Sequence, residues 1–129
     1  IGNFNNELKD GYFDLIFSTS VFEHLPENID LYTNIIKDIS RLLSNDGITL
    51  HTIDCLLKNE NKIKMHPIIG FIENNINGCL PILNIRELYL NDELFVMEKE
   101  SYDLYWKSIC KLPYEEFGKP FSVNLLWGK

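Results

Sequence analysis

Residues 13–53 constrain the fold more than any other part of this chain, because they read as strand, helix, strand. Phe13-Asp14-Leu15-Ile16-Phe17 is apolar at every position but Asp14. That pattern predicts a central strand buried on both faces, as in a parallel sheet, with Asp14 near its start. The run stops at Ser18-Thr19-Ser20, and Val21 to Leu25 suit a short helical turn before Pro26. Tyr32, Ile35, Ile36, Ile39, Leu42 and Leu43 then recur at helical spacing and predict an α-helix of about four turns. Lys37 and Arg41 fall in its second half, where the helix dipole favours cations. Asn45-Asp46-Gly47 is expected to stop the helix and turn the chain. Ile48-Thr49-Leu50-His51-Thr52-Ile53 follows, rich in β-branched residues and read as a strand. Two strands joined by a helical crossover of roughly 30 residues make a βαβ unit, with parallel strands and a right-handed connection. The fold class is α/β.

The remainder is less regular. Before the first strand, Asp10-Gly11 signals a turn. Residues 58–64 alternate charge and Asn and are expected to form an exposed loop. Residues 67–74 suit a short apolar helix, and Asn77-Gly78 a turn. Residues 56–83 as a whole lack a firm element, as lids, substrate walls and variable surface loops all do. Asn84-Ile85-Arg86-Glu87 resembles a capping box opening a helix through Leu90. Residues 94–104 are a strand candidate, with Phe95, Met97, Tyr102 and Leu104 as apolar members. In residues 121–127, Phe121, Val123, Leu125 and Trp127 alternate with Ser122, Asn124 and Leu126, which predicts the last strand. The expected ending is therefore an antiparallel strand pair.

Composition narrows the function. At 129 residues the chain is of single-domain size, and its hydrophobic and charged shares of 45% and 24% place it in the globular range. Twelve basic against nineteen acidic residues give a net charge of −7, which disfavours a nucleic-acid partner or an anionic membrane surface. No apolar run is long enough for a membrane span. Cys55, Cys79 and Cys110 are odd in number, far apart and free of any C-x-x-C pair. That spacing excludes a zinc ribbon, offers no metal site and fits a reducing cytoplasm. The chain opens on Ile1 and enters a strand almost at once, and is read as a fragment.

Ligands of open parallel sheets bind beyond the carboxyl ends of the strands. Two such ends are visible: Ser18-Thr19-Ser20, leading to Glu23 and His24, and His51-Thr52-Ile53-Asp54. If the strands are neighbours, these ends lie about 5 Å apart and line one crevice. Ser18, Thr19 and Ser20 also suit turn and capping roles. His24 is the candidate general base. Glu23 and His24 are adjacent on a helical turn and are expected to point apart, which weakens a metal reading. His51 and Asp54 are three apart and cannot share one side of a regular strand. Ser20, His24 and Asp54 invite a Ser–His–Asp hydrolase, but no G-x-S-x-G elbow is present. No P-loop and no G-x-G-x-x-G occur either, so the chain lacks the usual glycine-rich phosphate or cofactor cradle.

Residues 12–26, YFDLIFSTSVFEHLP, resemble the fourth-strand motif of class I methyltransferases, where an FDLI-type strand leads into a V-L-E-H-L segment. Residues 38–47 are similar to that family's R-x-L-K-P-G-G turn before the fifth strand, with Ser44 for Lys, Asn45 for Pro and Asp46 for the first Gly. His51-Thr52-Ile53-Asp54 resembles a strand-end variant of the same enzymes, and residues 121–129 their seventh strand, antiparallel beside the fifth.

The resemblance implies the C-terminal half of a Rossmann-like sheet: a parallel βαβ unit followed by an antiparallel strand pair, with residues 1–129 as a partial domain lacking the N-terminal glycine-rich half. Residues 1–4 would end the adenine-side loop. The implied cofactor is S-adenosyl-L-methionine, bordered by Ser18, Thr19, Ser20 and Val21. His51 and Asp54 would flank the substrate side, and His24 would be the base where the acceptor needs one. The implied activity is methyl transfer to a small molecule or other unidentified acceptor. A degenerate, non-catalytic relative serving as a binding or scaffold module is the alternative. A nucleotide-dependent oxidoreductase of Rossmann type is a third reading, opposed by the antiparallel ending.

Overall fold

The computed structural model describes residues 7–59, 62–79, 85–91 and 96–129. The expectations for residues 1–4, for the Asn84 cap and for Phe95 lie outside the described residues. Two compact units are formed, one from Ile1–Ile53, His66–Pro81 and Asn124–Lys129, the other from Asp54–Met65 and Ile82–Val123.

The first unit holds the expected βαβ. Strand β1 (Phe13–Thr19) leads through a 3-10 turn (Phe22–His24) into helix α1 (Ile29–Leu42), and β2 (Leu43–Asn59) follows. Strands β1 and β2 are parallel, with Ile16 opposite Thr49, Phe17 opposite Leu50, Ser18 opposite His51 and Thr19 opposite Thr52. Asn28 caps α1: its side-chain oxygen accepts a hydrogen bond from the Leu31 N–H at 2.9 Å. Tyr32, Ile35, Ile36 and Ile39 form the buried stripe that the spacing requires.

The end of α1 departs from expectation. The chain passes directly into β2 at Leu43, so residues 45–47 lie within the strand instead of forming a separate turn. Phe13 pairs with Leu43 and Leu15 with Ile48, so residues 44–47 absorb the register shift as a bulge. Gly47 permits this, because a Cβ there would sit 2.9 Å from the Phe13 carbonyl oxygen and 3.0 Å from the Leu43 side chain. Arg41 ties the helix end to the segment before β1. Its Nη1 donates to the Leu8 carbonyl at 2.8 Å and to Asp10 at 2.6 Å, and its Nε to Asp38 at 2.9 Å. Gly11, at φ +65°, makes the turn expected at Asp10-Gly11.

Burial of β1 on both faces is not observed. Leu15 and Phe17 are 52% and 70% exposed, and Ile48, Leu50 and Leu126 are also open. The strand period of two places Leu15 and Phe17 together on one face, opposite their register partners Ile48 and Leu50. The other face is closed, with Thr49, His51, Ile53, Leu125 and Trp127 buried. Helix α2 (Ile68–Asn75) falls where the apolar run 67–74 placed it, with Ile68, Ile69 and Ile72 sealed. The ring of Phe71 lies 5.6 Å from that of Tyr32 in α1.

The terminal strand, here β4 (Lys119–Gly128), shows the expected alternation in full. It pairs with β2. Within the first unit the Lys129 N–H donates to the Gly47 carbonyl at 3.3 Å, and Thr52 Oγ1 to Asn124 Oδ1 at 2.7 Å. Partner numbers that fall on one strand as they rise on the other make this pair antiparallel.

The second unit corrects two expectations. Residues 58–64 are not simply an exposed loop: β2 runs to Asn59, and β3 (Lys62–Lys64) pairs antiparallel with it, Leu57 opposite Ile63. Cys55 and Leu57 are buried at a period of two on β2, and half-buried Ile63 alternates with exposed Lys62 and Lys64 on β3. Helix α3 (Ile85–Leu90) matches the short helix expected there. Where the strand expected over 94–104 falls on residues 99–104, the chain is instead helical: α4 (Lys99–Tyr105) is followed by α5 (Lys107–Cys110) and α6 (Tyr114–Phe117). Tyr102 is fully buried while Leu104 is 70% exposed, a split that a strand forbids for residues two apart. Asp103 pairs with Lys99 and with Lys107, each one helical turn away. Among the described residues no helix is long and apolar enough to cross a membrane.

Candidate functional site

The carboxyl end of β1 is a strained rim. Ser20 adopts a left-handed backbone, φ +51°, unusual for a residue with a Cβ. Its N–H donates to the Thr52 carbonyl at 2.9 Å, which clamps the kink to the neighbouring strand end. Thr19 is exposed, Ser18, Ser20 and Val21 are half-buried, and the 3-10 turn begins at once. Residues 18–25 contain no Lys or Arg.

Beneath the rim lies a hydrogen-bonded chain. Ser18 Oγ is 2.7 Å from His51 Nδ1, and Thr49 Oγ1 is 2.6 Å from His51 Nε2. Thr49 donates its only hydroxyl proton to the Ile16 carbonyl at 2.9 Å. It must therefore accept from His51, so Nε2 carries the imidazole proton and Nδ1 accepts from Ser18. Phe22 stacks on the imidazole with ring centres 4.3 Å apart, and Trp127 lies at 5.0 Å. His51 is only 2% exposed, and this burial pushes its pKa down from 6.5 to about 4. The ring is neutral at pH 7.

A serine on a histidine held by a third group has the outline of a nucleophile with its base. The chemistry does not follow. An imidazole so reluctant to charge is a poor proton acceptor, and Thr49 offers no negative charge to an imidazolium. The geometry holds Ser18 rather than activating it.

The other expected residues separate. His24 is exposed at the end of the 3-10 turn, free to meet a ligand. Its Nε2 comes within 3.9 Å of Glu23 Oε1, although the two were expected to diverge. Both Glu23 oxygens are buried and accept no hydrogen bond from the described residues. Asp54 belongs to the second unit, where it accepts from Ser122 Oγ at 2.9 Å. Val21 precedes the turn, with no side-chain capping bond. The histidine that meets a serine is thus His51 with Ser18, not His24 with Ser20.

Sequence reasoning missed Thr49, Phe22, Trp127 and the buried state of Glu23. Thr49 was within reach, because residues two apart in a strand share a face. His66, which had no expected role, accepts from the Ile68 N–H at 3.4 Å. Its Nε2 therefore donates to the Leu25 carbonyl at 3.0 Å, bracing the 3-10 turn against the start of α2.

Residues 2–51 match the family model described as a methyltransferase domain. The match spans the rim after β1, α1 and the start of β2, and it supports a class I methyltransferase domain. No curated protein and no solved structure matches the chain.

Proposed function

We propose that this chain is part of an S-adenosylmethionine-dependent methyltransferase and that the rim at residues 18–21 borders the cofactor. The observation that carries this reading is the parallel pairing of β1 with β2 under a kinked, acceptor-rich strand end, inside the segment matched by the family model. Ser18 Oγ and the Glu23 carboxylate are oxygen acceptors, with no Lys or Arg in residues 18–25. That set suits a cation, and S-adenosylmethionine carries a sulfonium and an ammonium. When bound, it supplies an activated methyl group. The residues of this chain then orient the reactants and exclude water, which is most of what such a displacement asks of a protein.

In this reading Ser18, Thr19, Ser20 and Val21 line the cofactor, while His51 and Asp54 support the substrate side. His24 takes a proton where the acceptor must lose one. The chain carries no glycine-rich loop, so upstream sequence supplies that cradle and completes the domain. Cysteines that form no disulfide among the described residues fit a reducing, cytoplasmic setting.

Isothermal titration of the full-length protein with S-adenosylmethionine tests the proposal. Micromolar binding is expected, and no binding would overturn it. His24→Ala should leave that affinity within about twofold, since a base for the acceptor does not hold the cofactor. A tenfold loss would move His24 to the cofactor side.

The altered turn Ser44-Asn45-Asp46-Gly47 favours a second reading, a non-catalytic methyltransferase-like binding or scaffold module. An intact glycine-rich loop and a ribose-binding acid upstream would decide for the enzyme.

A further inference from the structure

The Thr49–His51–Ser18 chain has a direction. Thr49 spends its proton on the Ile16 carbonyl, His51 spends its Nε2 proton on Thr49, and Ser18 spends its proton on His51 Nδ1. Each step follows from counting one proton per hydroxyl and one per neutral imidazole. Ser18 then has lone pairs left and no proton. Toward the half-buried rim it can accept but cannot donate. Phe22 and Trp127 pack on the imidazole and hold the ring in this orientation.

We infer that His51 and Thr49 are positioning residues which turn Ser18 into a one-way acceptor for a hydrogen-bond donor of the ligand, an ammonium or a hydroxyl group. Glu23, in the turn that follows, adds a carboxylate that receives no hydrogen bond from the described residues. The inference rests on the proposed cofactor reading, and S-adenosylmethionine carries both kinds of donor.

The experiment has two readouts on the full-length protein. In the first, ¹⁵N-histidine NMR assigns the tautomer of His51, with the signal identified by its loss in His51→Gln. The Nε2–H tautomer at neutral pH is expected. The Nδ1–H tautomer or an imidazolium would overturn the inference.

In the second, S-adenosylmethionine and its analogue lacking the amino group are titrated against variants. Ser18→Ala and His51→Leu should each weaken S-adenosylmethionine by about tenfold, the scale of one hydrogen bond to a charged group. His51→Gln should restore affinity to within about threefold, since an amide presents one acceptor and one donor at similar spacing. A Ser18→Ala penalty that vanishes with the analogue identifies the ammonium as the donor, and one that persists identifies a hydroxyl. No penalty on either ligand, or failure of His51→Gln to rescue while its thermal melt matches wild type, would overturn the inference. Should the unsubstituted protein bind neither ligand, the cofactor reading and the ligand assigned to Ser18 fall together. The tautomer separately decides the direction of the chain.

Discussion

His51 is neutral in the folded chain, and that ties stability to pH. The unfolded chain takes up a proton on this histidine near pH 6.5, the folded chain only near pH 4. Between those values the unfolded state binds more protons, so stability falls as pH falls through that window and is full above it. The loss should approach about 3 kcal/mol at its lower end. Urea melts between pH 7 and pH 4 check this, and His51→Gln should remove that part of the slope. At Gly47 the constraint is steric. Gly47→Ala pushes a methyl group into the Phe13 carbonyl and should cost about 1–3 kcal/mol, read as a lowered melting temperature. Sequence made Ser18 and His51 visible as strand-end polar residues. It did not reveal that they meet, because a contact across 33 positions depends on strand register. Glu23 was legible only as a neighbour of His24, since its burial depends on how the 3-10 turn packs.

Elements were readable where one periodicity dominated. Helix α1 carries its stripe from Tyr32 to Ile39, and β4 alternates from Phe121 to Trp127, so both stood out in the sequence. Residues 94–104 misled because Phe95, Met97, Tyr102 and Leu104 were read at a period of two, although the polar run from Glu98 to Ser101 leaves no alternation between Met97 and Tyr102. The Lys99–Asp103–Lys107 series was the helical signal there. Strand β3 was hidden by its charges, since Ile63 alone faces inward between Lys62 and Lys64. The Asn28 cap gives an element-scale prediction. Asn28→Ala orphans the Leu31 N–H and should cost about 1 kcal/mol in denaturant melts. Asn28→Asp should keep most of that stability.

At the scale of the molecule, the parallel βαβ followed from pattern and the antiparallel place of the last strand beside β2 from the family resemblance, whereas the open face of β1 followed from neither. A strand with four large apolar residues in five reads as doubly buried, yet Phe17 is 70% exposed. The proposed upstream half gives that face a cover. In the full-length protein, Phe17→Ser should then cost about 2 kcal/mol, the scale for losing a buried aromatic side chain. A change within about 0.5 kcal/mol, ordinary for a surface site, would speak against the upstream half. The account as a whole turns on where the methyl donor lies. Amide hydrogen exchange of the full-length protein, with and without saturating S-adenosylmethionine, reads that directly. Slowed exchange at Thr19, Ser20 and Val21 is the expected result. Binding that leaves these amides unchanged while protecting others would contradict the placement of the site.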